Sequence, residues 1–529
     1  MAIAKSAIDA YLARLVDDLS FVKDLKPLEV EEELTYINPP PKFTAPLRTD
    51  QKVCFLLGVA YPEILLMTDL GLGKTVVSLE LFNYFYSIGK VKRGLVFAPT
   101  DELVEGWEDE IKKWGFEFDY LSLRKGSSKS KWDDFNHFRG DGLILGTYAG
   151  IGAMVSELQL VKEGDTKRKR MPQVKLMNRL GANIDATFFD QSTCASNRST
   201  VSFRVCNHFS EAASVRFGLA GRAFGRDPGQ LFYQFYLADR GRAFGKLIGI
   251  FRDSFYYKSF PKWGGIQYNF RKRRSKQFTK FTLASSLRYS VDECVDLPPK
   301  VMVNKECEFP KENWDYFVRA RDELLKAKGK YREVRNSFLQ MRQISSGFVG
   351  FIDDESGDRA EIEFEVNPKL NLLMDIVNEL PEDKKCIIIH EFTWSGRKIS
   401  EQLTKAKLEH GWLYGGTKDW TPIKESFNND DDYRFLVANW KKASMGLNLQ
   451  KANYLIFYES PVAVIPRSET EGRVHRTGQL YKQFVYDLLV RDNDGFSIDE
   501  LIRSFHKEGA DLWKQLVDNP QRLLKGGGV

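Results

Sequence analysis

The sequence has 529 residues, of which 43% are hydrophobic and 28% charged, and its net charge at pH 7 is +6. That length is too great for one hydrophobic core and predicts three or four structural units. No apolar run reaches the roughly 20 residues of a membrane-spanning helix, so the composition predicts a soluble chain with no membrane partner. The six cysteines form no CxxC pair, which argues against a zinc site or a disulfide framework.

The first 44 residues are predicted to form a helical segment followed by a linker. Apolar residues recur at helical spacing between residues 3 and 25, and the proline-rich stretch NPPPKFTAP follows at 38–46. From 45 to 230, short apolar runs such as EILLM, GLVFAP, GLILGTY, ATFFD and VRFGLAG alternate with helical stretches. This alternation predicts a parallel sheet flanked by helices.

The pattern changes over residues 231–365, which are rich in aromatic and basic residues and mostly helical in periodicity. Alternation of strands and helices returns in 366–529, with KCIIIHEF, GWLYGG, YRFLVAN, NYLIFYES and FVYDLLV as strand candidates. The predicted fold class is therefore α/β, with two lobes built on parallel sheets and a mostly helical insertion between them.

The stretch TDLGLGKT at 68–75 lies between the strand candidate EILLM and a helical stretch. A glycine loop at a helix N-terminus exposes backbone N–H groups that can hold phosphate. Lys74 is predicted to reach the β- and γ-phosphates, and the Thr75 hydroxyl to hold magnesium. Thr68 stands in place of the first glycine of the GxxxxGKT pattern. The alternative is a chance glycine–lysine turn, which the flanking strand and helix disfavour.

The run ATFFDQ at 186–191 is the predicted partner strand. Asp190 at its end is expected to hold magnesium through water, and the next position should polarise the attacking water. That position is occupied by Gln191, which can orient a water molecule but cannot accept its proton.

Two further stretches carry clustered cations. In SETEGRVHRTGQ at 468–479, Arg473 and Arg476 are three residues apart, so a helix would present both on one face, where they could stabilise charge developing on a γ-phosphate. The basic run RKRRSK at 271–276 suits a polyphosphate backbone. The alternatives are a solvated helix for the first, and for the second a solvated surface or an internal brace pairing with Asp292 and Glu293.

In chain order these motifs resemble those of the Swi/Snf family of DNA-dependent ATPases, in helicase superfamily two. The resemblance covers roughly residues 45–490 and includes LRTDQ, DLGLGKT, APTDELVEGWEDE, LGTYAG, FFDQSTCASN, DLPPK, LQMRQISSG and GRVHRTGQ. It implies RecA-like lobes at 45–230 and 366–529 that close on ATP and Mg²⁺ and walk along double-stranded DNA, with the family's helical insertion at 231–365. We expect a monomer. Because the chain is compact, a bacterial or viral member is favoured, acting in the cytoplasm; a eukaryotic member would act in the nucleus.

The resemblance also assigns roles by position. Gln51 would recognise adenine, and Arg473 and Arg476 would be arginine fingers. The remaining predicted ATP contacts are Asp69, Gly71, Leu72, Gly73, Lys74, Thr75, Asp190 and Gly446. The predicted DNA contacts are Trp107, Thr147, Arg271, Lys272, Arg273 and Arg274.

Three positions depart from the family pattern: Arg222 replaces a small hydroxyl residue, Glu469 replaces a glutamine, and Gln191 replaces the catalytic glutamate. Because the loop lysine and both arginines are retained, Gln191 is interpreted as a deliberate change that traps a bound state; a naturally inactivated homologue is the alternative. The predicted function is an ATP-dependent duplex-DNA translocase with crippled hydrolysis. The alternatives are a DNA clamp that binds ATP without turning it over, and a strand-separating or annealing helicase.

Overall fold

The computed structural model describes residues 5–14, 16, 18–160, 168–221, 227–260, 266–327, 330–352, 359–417, 419–443, 449–476, 478–492 and 494–508. The chain divides into two compact units. The first comprises Met1–Ser259 and Gln267–Val295, and the second comprises Phe260–Ile266 and Asp296–Val529. No helix within the described ranges is long and apolar enough to cross a membrane.

The strands of the first unit are, in chain order, β1 (Glu63–Thr68), β2 (Arg93–Ala98), β3 (Asp119–Ser122), β4 (Gly142–Thr147), β5 (Ser156–Leu160), β6 (Arg168–Pro172), β7 (Ile184–Asp190), β8 (Val215–Leu219), β9 (Tyr256–Ser259), β10 (Gln267–Phe270) and β11 (Ser286–Tyr289). Seven of them form one parallel sheet in the order β11-β1-β8-β7-β2-β4-β3. The other four form two antiparallel hairpins, β5 with β6 and β9 with β10.

The helices of the first unit are α1 (Lys5–Leu12), α2 (Pro27–Tyr36), α3 (Thr49–Ala60), α4 (Lys74–Ser87), α5 (Asp101–Trp114), α6 (Ser128–His137), α7 (Tyr148–Met154), α8 (Val174–Gly181), α9 (Val201–Ala212), α10 (Gln230–Asp239), α11 (Ile248–Phe255), α12 (Ser275–Leu283) and α13 (Val291–Cys294). Helices cover both faces of the sheet, so its central strands are buried on both sides. This is why β2, β4, β7 and β8 read as continuous apolar runs and not as alternating ones. The predicted strands of this lobe are confirmed.

The N-terminal region differs from its prediction. The helix predicted over residues 3–25 ends at Leu12, and a 3₁₀ turn over Leu19–Asp24 begins at Asp18, whose carboxylate accepts from the Ser20 N–H. The predicted linker is attached to the core, because the N–H groups of Thr44 and Ala45 donate to the Glu80 carboxylate at 2.8 and 2.6 Å. Thr44 and Ala45, near the end of the predicted linker, therefore lie against α4.

The strands of the second unit are β12 (Lys300–Glu308), β13 (Phe348–Ile352), β14 (Arg359–Glu363), β15 (Lys385–His390), β16 (His410–Leu413), β17 (Phe435–Asn439), β18 (Ala452–Phe457) and β19 (Gln483–Arg491). Six form a second parallel sheet in the order β12-β19-β18-β15-β17-β16. Its helices are α14 (Lys311–Lys326), α15 (Tyr331–Ser345), α16 (Pro368–Glu379), α17 (Thr393–Lys405), α18 (Thr421–Asn429), α19 (Trp440–Ala443), α20 (Val464–Val474) and α21 (Ile498–Glu508). The α/β class with two parallel sheets is confirmed.

The division of the chain differs from the predicted one within residues 231–365. The part up to Val295 belongs to the first unit, where β11 pairs with β1 at the sheet edge. The part from Asp296 belongs to the second unit, where β12 pairs with β19. Both are edge strands, and β12 alternates between exposed and half-buried residues, so neither carries the apolar run of a central strand. The assignment of 231–365 to a family insertion stays a prediction.

Candidate functional site

Three of the predicted site segments of the first unit lie at the carboxyl ends of parallel strands. The loop after β1 begins at Thr68, β4 ends at Thr147, and β7 ends at Asp190. In a parallel sheet these ends share one edge, the usual place for ligands in open α/β sheets. Only β8 separates β1 from β7, so their ends are roughly 10 Å apart at the usual strand spacing.

The glycine loop turns from β1 into α4 through two left-handed residues, Gly71 at φ +85° and Gly73 at φ +79°. Gly73 has a left-handed backbone, and a Cβ there would also crowd the side-chain amide of Gln51, so the position favours glycine. Helix α4 begins at the next residue, Lys74, and directs its free N–H groups toward the loop.

Gln51 and Arg48 hold this loop in place. The Gln51 amide donates to the Leu72 carbonyl at 3.0 Å, and the Arg48 guanidinium donates to the same oxygen at 3.1 Å. The Gln51 side-chain oxygen accepts from the Arg48 N–H at 2.9 Å, which fixes the orientation of the amide. Recognition of adenine by Gln51 stays a prediction, and Arg48 is a loop-holding residue that the sequence reasoning missed.

Lys74 lies across the loop. Its ammonium donates to the carbonyls of Thr68 and Asp69 at 2.5 and 3.0 Å, so the positive charge is held inside the glycine turn. The Asp69 carboxylate accepts from the Val291 N–H at 3.2 Å and thereby anchors the start of α13. The Thr68 hydroxyl is buried and makes no hydrogen bond within the described part of the chain, which leaves an unmet polar group at the head of the loop.

Asp190 is held rigidly at the end of β7. The indole N–H of Trp107 donates to its Oδ2 at 3.0 Å, and the Tyr148 hydroxyl donates to its backbone carbonyl at 2.9 Å. Burial keeps the pKa of Tyr148 well above its usual range, so the hydroxyl stays a donor. Asp190 is 7% exposed, and its Oδ1 accepts no hydrogen bond from any described residue.

Trp107 was predicted to contact DNA, and the structure corrects this prediction. Its side chain is 1% exposed and packs on Phe188, with a ring-centroid distance of 5.9 Å. A side chain enclosed in the core cannot reach a DNA backbone. Its N–H group is instead directed at Asp190.

Gln191 has left-handed backbone geometry, with φ +46°, and opens a 3₁₀ turn over Ser192–Ala195. The turn is fixed by the buried Ser192 hydroxyl, which donates to Gln234 at 2.7 Å. The Gln191 side chain is half-buried. A glutamate at this position would have to adopt the same left-handed backbone geometry, because glutamine and glutamate differ only at the end of the side chain.

The other predicted DNA residues lie at two places. The Thr147 hydroxyl accepts from the Gly150 N–H at 2.9 Å and caps α7. In the basic run, Lys272 and Arg273 are exposed, whereas the Arg271 side chain donates to the Tyr256 carbonyl at 2.8 Å.

The basic run does not form the predicted internal brace. None of Arg271, Lys272, Arg273 and Arg274 forms an ion pair with a described residue. Glu293 pairs with Lys23 at 2.7 Å instead, which leaves the solvated surface and the DNA-binding face as the remaining interpretations.

In the second unit, the segment carrying the predicted fingers is not one continuous helix. Helix α20 ends at Val474, so Arg473 lies in its last turn and Arg476 lies beyond it. The prediction that the two arginines share a helix face is therefore wrong, because only Arg473 is in the helix and Arg476 follows its end. Arg473 is buried and Arg476 is half-buried.

Three residues that the sequence reasoning missed hold this segment. Arg467 makes a bidentate pair with Asp487 of β19 at 2.6 and 3.0 Å, His475 Nε2 lies 2.9 Å from the Pro298 carbonyl, and the Gln479 amide donates to the Gln450 carbonyl at 2.8 Å. Gly446 and Arg222 lie outside the described residues. Glu469 lies within α20, and its role stays a prediction.

Two family models match the chain. Residues 60–168 match the model described as the res subunit of type III restriction enzymes, and residues 368–478 match the helicase conserved C-terminal domain.

Similar curated proteins include a putative helicase of Acanthamoeba polyphaga mimivirus, 26% identical over 172 residues (32% of this chain and 19% of the relative). The chromatin-remodeling ATPase INO80 of Kluyveromyces lactis is 27% identical over 191 residues (35% and 12%). The CHD3-type chromatin-remodeling factor PICKLE of Arabidopsis thaliana is 22% identical over 457 residues (81% and 31%). The chain thus spans less than a third of the length of each of these relatives. Among solved structures, the Sulfolobus solfataricus SWI2/SNF2 ATPase core in complex with dsDNA is 20% identical, with a TM-score of 0.39 and coverage of 93% of this chain and 99% of that one.

Proposed function

This chain belongs to the Swi/Snf family of helicase-like ATPases, and on that premise we propose that it is an ATP-dependent translocase on double-stranded DNA whose hydrolysis is slowed by Gln191. One observation carries the proposal. The glycine loop with Lys74 and the strand end with Asp190 lie at the same carboxyl edge of a parallel sheet, one strand apart. That arrangement suits a nucleoside triphosphate and its metal ion.

The residues at this edge of the sheet would have different roles in binding the nucleotide and its metal ion. The backbone N–H groups from Gly71 to Thr75 would bind phosphate oxygens, and the Lys74 ammonium would turn from its two carbonyls to the β- and γ-phosphates. The Thr75 hydroxyl and the Oδ1 of Asp190 offer the hard oxygen donors that Mg²⁺ prefers. When bound there, Mg²⁺ would neutralise charge on the phosphates.

Gln191 follows Asp190 directly and would donate to or accept from the attacking water, which orients the water molecule. The Gln191 amide cannot accept the proton of the attacking water, so hydrolysis would proceed without the general base that a glutamate would provide. Arg473 and Arg476 remain proposed arginine fingers, because a guanidinium can stabilise the charge of the transferring phosphoryl group.

Trp107 is a positioning residue in this scheme, since its N–H group holds one oxygen of Asp190 and leaves the other available. Replacing Trp107 by phenylalanine keeps an aromatic ring in the core but removes that donor. We expect the Mg²⁺ concentration needed for half-maximal binding of a fluorescent ADP to rise about tenfold, the usual scale for a partner of a metal-binding carboxylate.

The matched control is Trp114→Phe on the same helix, whose indole donates to Glu110 at 2.6 Å. That variant should bind Mg²⁺ and nucleotide as the parent does. An unchanged Mg²⁺ dependence in Trp107→Phe, with the fold intact, would show that the indole only packs.

Translocation itself is tested by displacement of a triplex-forming strand from duplex DNA. The Gln191→Glu variant should release the third strand in an ATP-dependent manner without separating the duplex. Release of single strands from the duplex would favour the helicase alternative. ATP hydrolysis with no displacement would remove the translocase proposal.

DNA binding should be independent of sequence and dominated by phosphate contacts, so log affinity should fall linearly with log salt by about 0.9 per phosphate contacted. Lys272 and Arg273 are two adjacent exposed cations of the basic run, in which Lys276 is exposed as well. Replacing both by glutamine should weaken binding about equally on unrelated duplexes and lower the salt slope by up to about 2, on the same scale.

The control for that pair is Lys90→Gln with Lys92→Gln, which removes two exposed cations just before β2, at the amino edge of the sheet. The control should leave the slope unchanged. If the salt slope falls equally in both double variants, only the net charge of the protein affects DNA binding. If the slope does not change in the Lys272 and Arg273 variant, the basic run is a solvated surface. In either case the affinity for ATP without DNA should not move.

The clamp is the second candidate, and Gln191 is the observation that favours it. A protein that binds ATP without hydrolysing it could use the bound nucleotide to stay closed on DNA. The two candidates differ in what a glutamate at position 191 would restore.

A further inference from the structure

Asp69 joins the glycine loop to two other elements of the first unit. Its N–H group donates to the Tyr289 carbonyl at the end of β11, at 2.9 Å. Its carbonyl accepts from the Lys74 ammonium at 3.0 Å, and its carboxylate accepts from the Val291 N–H at 3.2 Å. One residue of the loop therefore contacts both the cation expected to bind phosphate and the first residue of α13.

Helix α13 lies where the chain leaves the first unit. That unit ends at Val295, and the second unit continues from Asp296. The helix is only four residues long, so its own backbone hydrogen bonds are too few to keep it folded. The Val295 N–H donates to the Val291 carbonyl at 3.0 Å. A contact that holds Val291 therefore also orders the end of the first unit.

Other polar contacts of α13 lie outside the loop. The Glu293 carboxylate accepts from the Ser290 N–H and hydroxyl at 2.7 and 2.9 Å, and it pairs with Lys23 at 2.7 Å. The hydrogen bond from Lys23 lowers the pKa of Glu293 to about 2, so this cap stays ionised at neutral pH. Since none of these groups belongs to the loop, a change in the loop would reach α13 through the Asp69 carboxylate.

A nucleotide in the loop would change the surroundings of Asp69. The Lys74 ammonium cannot remain on the carbonyls of Thr68 and Asp69 and also bind phosphate oxygens. Phosphate would at the same time accept from the backbone N–H groups of 71–75, which orders the loop. In an ordered loop Asp69 has less freedom to lose, so its hydrogen bond to Val291 opens less often.

We propose that Asp69 is a positioning residue that transmits nucleotide binding in the glycine loop to α13, and thereby orders the segment at which the chain passes into the second unit. This proposal rests on the proposed function, since it requires a nucleotide in the loop. It goes beyond the ATP contact expected for Asp69. A carboxylate is a poor partner for phosphate oxygens, because both are hydrogen-bond acceptors and both are negative.

The test removes the donor and keeps the helix. Val291→Pro removes the N–H that binds Asp69, and proline is favoured at the first residue of a helix. Ser290, at φ −93° and ψ 158°, already has the extended backbone that a residue before proline requires. The variant should therefore fold and bind nucleotide as the parent does.

The measurement is hydrogen–deuterium exchange of the peptide 290–297, with and without Mg²⁺ and a saturating non-hydrolysable ATP analogue. In the parent the analogue should slow exchange of this peptide about fivefold or more, the lower end of a typical coupling between sites. In Val291→Pro the exchange should not respond to the analogue, although a titration shows that the analogue is bound.

Two controls match this substitution. Val291→Ala shortens the same side chain but keeps the N–H, so the peptide should respond to the analogue as in the parent. Val201→Pro places a proline at the first residue of α9, after another extended residue, and should leave the response of 290–297 intact. As a second test, Asp69→Asn keeps an acceptor oxygen and should retain the response that Asp69→Ala loses, both measured at saturating analogue.

A response in Val291→Pro equal to that of the parent would overturn the proposal, and with a lower melting temperature it would make the bond purely structural. Faster exchange of the parent peptide with the analogue would overturn it as well. If Val291→Pro does not fold, the two Asp69 variants decide. If the parent binds the analogue and 290–297 does not respond, only this proposal fails. If the parent binds no analogue, the proposed function fails with it.

Discussion

Replacing Gln191 by glutamate is expected to raise DNA-dependent ATP hydrolysis by about 10²-fold or more, the usual scale of a general base. The glutamate restores a proton acceptor one residue after Asp190, where the water must be activated. The measurement is steady-state phosphate release with and without duplex DNA, on the chain as it stands and on the Gln191→Glu variant. Stimulation by DNA should appear mainly in the variant.

The backbone around position 191 should be the same in the parent and in the variants. Position 191 is left-handed in its backbone, at φ +46°, and the 3₁₀ turn after it is fixed by the Ser192–Gln234 hydrogen bond, which does not involve the side chain of residue 191. The matched control, Gln191→Ala, should bind ATP and hydrolyse it no faster than the parent. Equal and negligible rates in the glutamate variant and the parent, with ATP bound by both, would favour the clamp.

Replacing Lys74 by alanine is expected to remove nucleotide binding, with no saturation at ATP concentrations 100-fold above those that saturate the parent. The ammonium is the main point charge of the loop, and it already lies inside the turn on the carbonyls of Thr68 and Asp69. Equilibrium titration with a fluorescent ATP analogue measures the loss. Lys90→Ala, an exposed lysine beyond the other end of α4, should bind as the parent does.

Arg476→Ala provides the contrast, because a finger acts on the transition state and not on ground-state binding. In the Gln191→Glu background it should leave ATP affinity largely intact and abolish turnover. Normal turnover in that variant would show that the finger assignment is wrong. Loss of ATP binding in the Lys74 variant together with normal binding in the Arg476 variant separates the two roles.

Much of the first unit could be predicted from local sequence. Strands buried on both faces, such as β2 and β7, appear as uninterrupted apolar runs, so their type and position follow from composition alone. The glycine loop is also a local signal, since the two left-handed turns at Gly71 and Gly73 need glycine. With parallel strands, the meeting of Lys74 and Asp190 at one edge follows from topology without any knowledge of contacts.

The edge strands and the helix ends were not predictable in the same way. β11 and β12 are recognised as members of the two sheets only by their pairing with β1 and β19, because β11 is only four residues long and β12 contains no continuous apolar run. The spacing of Arg473 and Arg476 is that of a helix, but α20 ends at Val474, and the segment beyond it is directed by His475 and Gln479 to distant carbonyls. Local propensity does not contain those partners.

The sequence by itself determined the α/β class, most central strands, the glycine loop and the position of Asp190 at a strand end, since each depends on residues within one short window. Only the tertiary structure decided that Trp107, 83 residues before Asp190 in the chain, donates to its carboxylate and is closed off from DNA. Only the tertiary structure placed the side chains of Lys131 and Thr147 next to the same glycine, Gly150. The physical reason is the same in both cases. Whether a side chain is buried, and which group it pairs with, depends on the chain segments that meet it in space. Those segments are distant in the sequence, so a local pattern cannot show whether the side chain faces solvent or the core.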